Sequence, residues 1–308
     1  MKVAVIGGTG FVGSYLVDEL VERGHEPALL VRPGSEAKVV QRQRCRLTPG
    51  DVRDPAAVRA TLQDCEAAIY NIGLLREHKI QGITFEAMQF QGAARSVDLA
   101  VELGVRRFIL MSANGVKADG TPYQTTKYRA EQHLKATALD WTIFRPSVIF
   151  GEPRGTMEFC TQLRDQLIDS PLPAPLFYQG LLPTNAGAFK LAPIHIKDVA
   201  TIFIQSLTLP ATFGQTYGLC GPDPFDWRTL IATIAGVCGK HKLALPVPAW
   251  AVQMAAAFLE DYEFFPISRG QIAMLLEGNT CDSTAVFEQF GVTPIRFNEQ
   301  SLAYLRRK

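Results

Sequence analysis

The sequence of 308 residues is most informative first in what it has little of. Its six cysteines, Cys45, Cys65, Cys160, Cys220, Cys238 and Cys281, contain no C-x-x-C pair. The one close Cys–His spacing, Cys238 to His241, lacks a second pair, so no structural metal is expected. The cysteines read as reduced thiols acting as small, mostly buried hydrophobes, which suits a cytoplasmic setting. Charge of one sign is also missing, with 31 Lys+Arg against 30 Asp+Glu. That balance argues against the broad basic footprint of a nucleic-acid-binding surface and against an acidic interaction tail. Long hydrophobic runs are absent as well. The apolar residues 3–6 are too few for a signal peptide, and the stretch from about 248 to 259 falls short of the roughly 18 to 20 residues that span a bilayer. The expectation is a soluble chain, at most peripheral to a membrane or a membrane complex. Neither internal repeats nor low-complexity segments occur.

What is present is apolar material, 47% of residues, enough for one large core or two smaller ones. Up to about residue 150, short β-branched runs alternate with helical patterns, the signature of a parallel sheet with right-handed crossovers. Strands are predicted at 3–6, 28–31, weakly at 46–47, then at 67–72, 108–111 and 142–144. Helices are predicted over 11–23, 93–103 and about 123–136, the first two stopped by Gly24 and Gly104. After Gly151 the rhythm breaks into a Pro-rich stretch, an isolated β-like run at 194–196 and a helix headed by Asp198. The reading is α/β, a Rossmann-type doubly wound parallel sheet with a smaller, mixed C-terminal substrate lobe. Residues 1–150 form the nucleotide-binding domain and 151–308 the lobe, of which about 192–208 threads back to the sheet.

Gly7-Gly8-Thr9-Gly10-Phe11-Val12-Gly13 joins the first predicted strand to the first predicted helix. In that context the glycines have a chemical use. One permits the tight turn, one lets a pyrophosphate reach bare backbone, and Gly13 lets the helix pack close to the strand, with phosphate charge on the helix N-terminus. The competing reading is a glycine turn without a ligand. The second strand is followed by Arg32, where a site preferring NAD places a carboxylate for the ribose hydroxyls. A guanidinium there favours a 2′-phosphate, hence NADP(H) over NAD(H), against the alternative of a solvated surface arginine. In Gly50-Asp51-Val52, Asp51 is either an acceptor for the adenine amino group or an ordinary turn residue.

Ser112 ends the fifth predicted strand, and Tyr123 and Lys127 follow at i,i+4 on one helical face. An ammonium beside a phenol lowers the tyrosine pKa, which makes Tyr123 a proton donor or acceptor for a carbonyl undergoing hydride transfer. Ser112 would hold the same oxygen. The bland alternative for Tyr123 is a half-buried aromatic at a helix start. A second Tyr–Lys pair at this spacing, Tyr304 and Lys308, follows no strand-end serine and serves as a control.

With these residues assembled, the sequence resembles the short-chain dehydrogenase/reductase superfamily in its extended and atypical branches. The resemblance rests on the glycine loop, Gly50-Asp51-Val52, Gly104-Val105-Arg106-Arg107-Phe108 leading to Ser112, Tyr123 with Lys127 and Glu131, the run from Arg145 to Gly151, and the run from Pro193 to Ala200. The run from Gly214 to Tyr217, then Cys220-Gly221-Pro222 and Pro246-Val247-Pro248, look most like the subgroup of the NADPH-binding accessory subunit of respiratory complex I. The resemblance implies catalytic positions for Ser112, Tyr123 and Lys127, with Lys127 also on the nicotinamide ribose. To the cofactor contacts read from the residues themselves, Gly7, Thr9, Gly10, Phe11, Val12, Gly13, Arg32, Asp51 and Val52, it adds Ile72 and Gly73 on the adenosine side and Pro146 and Val148 near the nicotinamide; Arg32 departs from the family, which has an acid there. Gln89 and Gln91 stand where many members place an asparagine, which weakens the family's proton relay.

Some residues tempt without strong context. His195 near Asp198 suits a strand-to-helix turn with Asp198 as cap better than a catalytic pair. Lys240-His241-Lys242 reads as a solvated loop. Phe258, Tyr262, Phe264 and Phe265 could cover a substrate, bind a quinone-like tail or dock a partner, but core packing is the leading reading. Functionally the sequence implies an oxidoreductase transferring hydride to or from a carbonyl or quinone-like substrate. A non-catalytic NADPH-binding structural or redox-sensing subunit is the alternative, and a sugar-nucleotide epimerase or dehydratase a further one.

Overall fold

The alternation in the first half of the chain builds a seven-stranded, all-parallel sheet, seen in a computed structural model that describes residues 1–260 and 267–306. Its strands are β1 (Lys2–Ile6), β2 (Glu26–Val31), β3 (Arg46–Pro49), β4 (Ala67–Tyr70), β5 (Arg107–Met111), β6 (Asp140–Pro146) and β7 (Gln215–Leu219). The order across the sheet is β7-β6-β5-β4-β1-β2-β3. Val3, Ala4, Val5 and Ile6 are all fully buried, as expected for a parallel strand covered on both faces, whose sequence is continuously apolar instead of alternating. The flanking helices are α1 (Phe11–Glu22), α2 (Pro55–Leu62), α3 (Gly92–Glu102), α4 (Pro122–Lys135) and α5 (Ile196–Ser206). α1 buries Leu16, Val17 and Leu20 and packs against α5.

Register decides which loops meet. Ile6 lies opposite both Leu30 and Tyr70, Tyr70 opposite Leu110, and Met111 opposite Phe144. The carboxyl ends of β1, β2, β4, β5 and β6 therefore finish side by side, the edge at which doubly wound sheets bind ligands.

Three local readings change. β3 extends to Pro49 because pairing with β2 continues from Ala28–Arg46 to Val31–Pro49, and a proline is tolerated at the end of an edge strand. β7, whose Gln-Thr-Tyr-Gly-Leu sequence gives no strong strand signal, is held by parallel pairing with β6 and by Tyr217 stacking on Phe144 at 5.6 Å. A π-helical segment, Glu86–Gln91, precedes α3 and was not anticipated.

The chain divides into two units. The first comprises Met1–Pro146, Ile196–Leu219 and Ala285–Val292; the second comprises Ser147–His195, Cys220–Thr284 and Thr293–Lys308. Within the second, Ile194–His195 pairs in parallel with Ile149–Phe150, Phe225–Asp226 runs antiparallel to Lys190–Leu191, and Ala244–Pro248 lies parallel to Ala174–Tyr178. Phe150, Leu176, Trp227, Leu230 and Phe297 form the centre of its core. Asp226 caps the helix Trp227–Val237 by accepting from the Thr229 amide.

The expectation of six reduced cysteines is corrected: Cys220 and Cys281 form a disulfide. Their separation of 61 residues conceals the pair in the sequence. The fold closes that gap by bringing the two Cα atoms to 5.5 Å, within bridging range. Cys65 and Cys160 are buried, and Cys45 and Cys238 half-buried, as free thiols. Among the described residues no helix is long and apolar enough to cross a membrane, and no group of three or more His, Cys, Asp or Glu residues could hold a metal.

Candidate nucleotide and active site

The glycine loop carries its reasons in its geometry. Gly7 has φ +100°, a conformation that costs a side chain strain, and a Cβ there would sit 2.8 Å from the Asn71 carbonyl oxygen. A Cβ on Gly13 would lie 2.1 Å from the Gly7 oxygen, so this glycine lets α1 press against the loop. Gly10 differs. Its backbone is ordinary (φ −84°, ψ 178°), and the nearest atom to a Cβ would be 3.7 Å away. Nothing within the chain demands a glycine at position 10, and its bare face looks outward over the start of α1. That helix begins without a side-chain cap and without an acid in its first turn, leaving backbone N–H groups and the positive end of the dipole to receive an anion. Thr9 and the first-turn residues Phe11 and Val12 border the same opening, half-buried. The loop is thus a cradle suited to a pyrophosphate.

Arg32, directly after β2, is exposed, and Asp51 follows β3, joined to that strand end by the Gly50 amide donating to Val31 O at 2.9 Å. The Asp51 carboxylate accepts from Arg53 Nε at 2.7 Å and from its own neighbour's backbone, Arg53 N, at 3.0 Å. Burial raises the Asp51 pKa, but the hydrogen bonds and charge of Arg53, with Arg32 adding to them, leave the carboxyl below its ordinary value. Asp51 is therefore ionised and largely engaged by Arg53, a partner two residues away that the sequence displayed and the reading overlooked. Both Arg53 and Arg32 thus act on the Asp51 carboxylate, and Val52 is buried.

Ile72 and Gly73 follow β4, and the Ile72 side chain closes on the loop, 3.3 Å from where a Gly7 Cβ would stand. Asn71 Nδ2 donates to Gly7 O at 3.4 Å, tying the two strand ends.

Ser112, Tyr123 and Lys127 come together at the end of β5. α4 starts with a capping box, Thr121 with Gln124, and with Pro122 in its first turn, which fixes the rotation that turns Tyr123 and Lys127 inward. Lys127 is buried, and its ammonium donates to Met111 O at 3.1 Å. It stands 5.7 Å from the centre of the Tyr123 ring and 3.9 Å from where a Cβ on Gly73 would be. Burial lowers the Lys127 pKa to about 8, with Glu131 opposing the shift. Burial also pushes the Tyr123 phenol well above its ordinary value. The depression expected from the neighbouring ammonium is not what the structure gives, since burial alone sets the direction. The Tyr123 ring meets Phe85 edge-on, centroids 5.7 Å apart.

Ser112 is placed as expected but engaged unexpectedly. Its buried hydroxyl donates to Glu131 Oε1, and the same fully buried carboxylate accepts from Arg145 Nε at 2.8 Å and from Arg145 Nη2. One serine proton is thus committed to an internal carboxylate. Glu131 and Arg145 entered the sequence reading only as parts of motifs, and the i,i+4 step from Lys127 to Glu131 was the available signal. Gln89 is buried, donates to Leu74 O at 3.0 Å and accepts from Thr126 Oγ1 at 3.1 Å. It pins α4 to the strand-end loop, whereas Gln91 is exposed. Pro146 closes β6 in the first unit, its carbonyl accepting from Asn114 N at 2.9 Å. Val148 belongs to the second unit, half-buried.

His195 is buried edge-on against Phe150, centroids 5.0 Å apart. α5 begins at Ile196, so Asp198 lies in its first turn instead of heading it. Tyr304 of the control pair donates to Glu158 at 3.1 Å in the second unit, and its partner Lys308 lies outside the described residues. Phe258 is exposed; Tyr262, Phe264 and Phe265 also lie outside the described residues.

The profile of NAD(P)H-binding proteins matches residues 7–169, which include the glycine loop, Ser112, Tyr123 and Lys127. The chain belongs to this NAD(P)H-binding family. Over 315 residues it is 23% identical to the mitochondrial NADH-ubiquinone oxidoreductase 40 kDa subunit of Neurospora crassa, with 98% of this chain and 78% of that one covered. It is 23% identical to the NAD(P)H azoreductase of Xenophilus azovorans, covering 77% and 74%. In fold it matches the Thermus thermophilus UDP-glucose 4-epimerase in complex with NAD, with a TM-score of 0.75 at 17% identity and coverage of 99% and 97%. The superfamily suggested by the glycine loop and the Ser, Tyr and Lys positions is thus the right one, and a complex I subunit stands among this chain's relatives. This NAD(P)H-binding protein is oxidoreductase-like in family and Rossmann-like in fold.

Proposed function

We propose that the protein is an NADP(H)-dependent oxidoreductase of the short-chain dehydrogenase type, moving hydride to or from a carbonyl or quinone-like small molecule. The observation that carries this reading is the convergence of Tyr123 and Lys127 at the carboxyl end of β5, beside Gly73 and the glycine cradle. The nicotinamide, when bound, supplies or accepts the hydride. The chain's own part is to orient and to move a proton. The Gly10 face and the first turn of α1 hold the pyrophosphate, Asp51 and Val52 border the adenine, and Arg32 offers a cation to a 2′-phosphate. Lys127, tethered to Met111 O, reaches the nicotinamide ribose and lends positive charge to Tyr123. Tyr123 delivers its phenolic proton to the substrate oxygen as hydride arrives, or takes one in the reverse direction. Ile72 and Gly73 line the adenosine side and Pro146 the nicotinamide side.

Stopped-flow reduction of a quinone and carbonyl panel with NADPH tests this, and Tyr123→Phe is expected to lose at least about 100-fold in turnover with NADPH affinity kept. Unchanged turnover in that variant would remove the catalytic assignment. Arg32→Glu is expected to reverse preference toward NADH. Tighter binding of NADH than NADPH by the unaltered protein would refute the role given to Arg32.

One observation favours a second reading. Ser112 spends its proton on Glu131 instead of pointing it at a substrate oxygen, and a complex I subunit is among the relatives. A non-turnover subunit that binds NADPH for stability or redox sensing would show a large rise in melting temperature with NADPH and no hydride transfer across the panel.

A further inference from the structure

Behind the strand-end serine lies a closed network that the hydride-transfer scheme does not use. Glu131 is fully buried. Its Oε1 accepts from Arg145 Nε at 2.8 Å and from Ser112 Oγ, and its Oε2 accepts from Arg145 Nη2. Ser112 has little freedom of its own. It is buried, and its amide donates to Phe144 O at 2.8 Å, one residue before Arg145, so its backbone is pinned between β5 and β6. Arg145 has donors only, and the carboxylate in its fork has acceptors only, so the proton in the Ser112–Glu131 bond is the serine's. A hydroxyl has one proton and two lone pairs. With the proton on Glu131, what Ser112 keeps for any other partner is acceptor capacity. Turning that proton outward would exchange a charge-assisted bond for a neutral one of roughly half its strength and leave a buried carboxylate oxygen short of a donor.

Tyr123 supplies the opposite polarity at the same strand end. Burial pushes its phenol up, which keeps the proton on the oxygen. Lys127, whose ammonium is held at 3.1 Å on the carbonyl of Met111, the residue before Ser112, stands 5.7 Å from the Tyr123 ring. Glu131 acts on that lysine as well, one helical turn along α4, where its charge opposes the lowering of the ammonium by burial. One donor and one acceptor suit a hydroxyl oxygen, which accepts from Tyr123 and donates to Ser112. A carbonyl oxygen also accepts from Tyr123 but meets Ser112 lone pair to lone pair.

We propose that Glu131, held by Arg145, is a positioning residue that fixes Ser112 as a hydrogen-bond acceptor, so that the site holds the hydroxyl form of its substrate, an alcohol or a quinol, in preference to the carbonyl or quinone. The inference rests on the oxidoreductase reading and names which member of the redox pair the chain is built to bind.

Dead-end complexes test this without turnover. Cyclohexanone and duroquinone are titrated into the full chain with NADP+, and cyclohexanol and durohydroquinone, under anaerobic conditions, into the chain with NADPH. The difference in nucleotide is common to every variant and cancels when hydroxyl-to-carbonyl affinity ratios are compared between variants. In Ser112→Ala, which removes the acceptor, the ratio is expected to fall by about 10-fold or more. In Glu131→Gln, whose amide can donate to Ser112 and release the serine proton outward, the ratio should fall below that of Ser112→Ala. In the Ser112→Ala background, Glu131→Gln should change the ratio no further. A merely structural Glu131 would weaken both members of a pair alike and leave the ratio where it was. An unchanged ratio in Ser112→Ala, or a wild-type ratio in a Glu131→Gln protein that still melts cooperatively, would overturn the proposal. So would an unaltered protein that binds NADPH but neither member of either pair. Failure of the unaltered protein to bind NADPH at all would instead remove the oxidoreductase reading, and this inference with it.

Discussion

Gly10→Ala and Gly13→Ala, three residues apart in one loop, should fail in opposite ways. At position 10 the backbone angles suit any residue, and the added methyl would find its nearest neighbour at 3.7 Å. Losing a glycine N-cap costs up to about 1 kcal/mol, and the stiffer unfolded chain returns roughly 0.4–1 kcal/mol. The net change in stability is therefore within about 1 kcal/mol, a shift of a few degrees at most in melting temperature. The same methyl would stand on the face offered to a pyrophosphate, where bare backbone is needed, so NADPH affinity should fall by about 100-fold or more, equivalent to roughly 2.7 kcal/mol. At position 13 the methyl would meet Gly7 O at 2.1 Å and Gly8 Cα at 2.7 Å, both backbone. α1 must then move off the loop, an overpacking cost of about 3 kcal/mol. Gly13→Ala should thus lower the melting temperature by several degrees before any ligand is added. Scanning fluorimetry without ligand and calorimetric titration with NADPH separate the two. Wild-type NADPH affinity in Gly10→Ala, or a loss of stability there as large as in Gly13→Ala, would refute the assignment of Gly10 to the ligand.

Lys127→Met removes a buried cation whose pKa burial has lowered to about 8 from 10.5. Below pH 8 the lysine is charged in both folded and unfolded chains, and its burial cost is fully present; from pH 8 to 10.5 the folded chain sheds the proton first and wild type gains relative stability. The variant's stability advantage over wild type should therefore be greatest below pH 8 and shrink toward 10.5, as read from melting temperatures across that range; an advantage that grows with pH would contradict the burial argument. Arg107 is buried at the start of β5 and donates to Asp140 O, Thr142 Oγ1 and Ser206 O, between 2.6 and 2.8 Å. Arg107→Met should cost about 3 kcal/mol in urea unfolding by stranding those acceptors, and a cost below about 1 kcal/mol would mean that they find other partners. Replacing both Cys220 and Cys281 by alanine opens a 61-residue loop and should cost up to about 4 kcal/mol on the chain-entropy account. An unchanged melting temperature, with wild type unaffected by reductant, would show that the bridge does not contribute to stability.

Much of the fold was legible because it is locally encoded. β1 is a run of apolar residues long enough for a buried strand and too short for a helix. Gly24 and Gly104 stop helices where positive φ is required, at +77° and +73°. The Tyr123 to Lys127 step needs only one helical turn. β7 was hidden because its strand character comes from β6 alongside, and the Cys220–Cys281 bridge because no local pattern links residues so far apart. At the site, sequence supplied the identities of Ser112, Tyr123 and Lys127 but not their states. Desolvation depends on everything packed around a side chain, so only the folded protein shows that burial pushes the Tyr123 phenol up.

The division between the two sources follows from range. The sequence by itself determined the parallel sheet, the glycine loop and the residue types at the ligand edge, because periodicity, turn chemistry and i,i+4 spacing act over a few residues. The tertiary structure decided that Gly13 is required for packing while nothing in the fold requires glycine at position 10. It also gave Ser112's proton to Glu131 and Asp51 to Arg53. Apart from the Asp51–Arg53 pair, which the sequence displayed, each of those outcomes depends on which distant backbone or side chain arrives within a few ångströms, which no local pattern records.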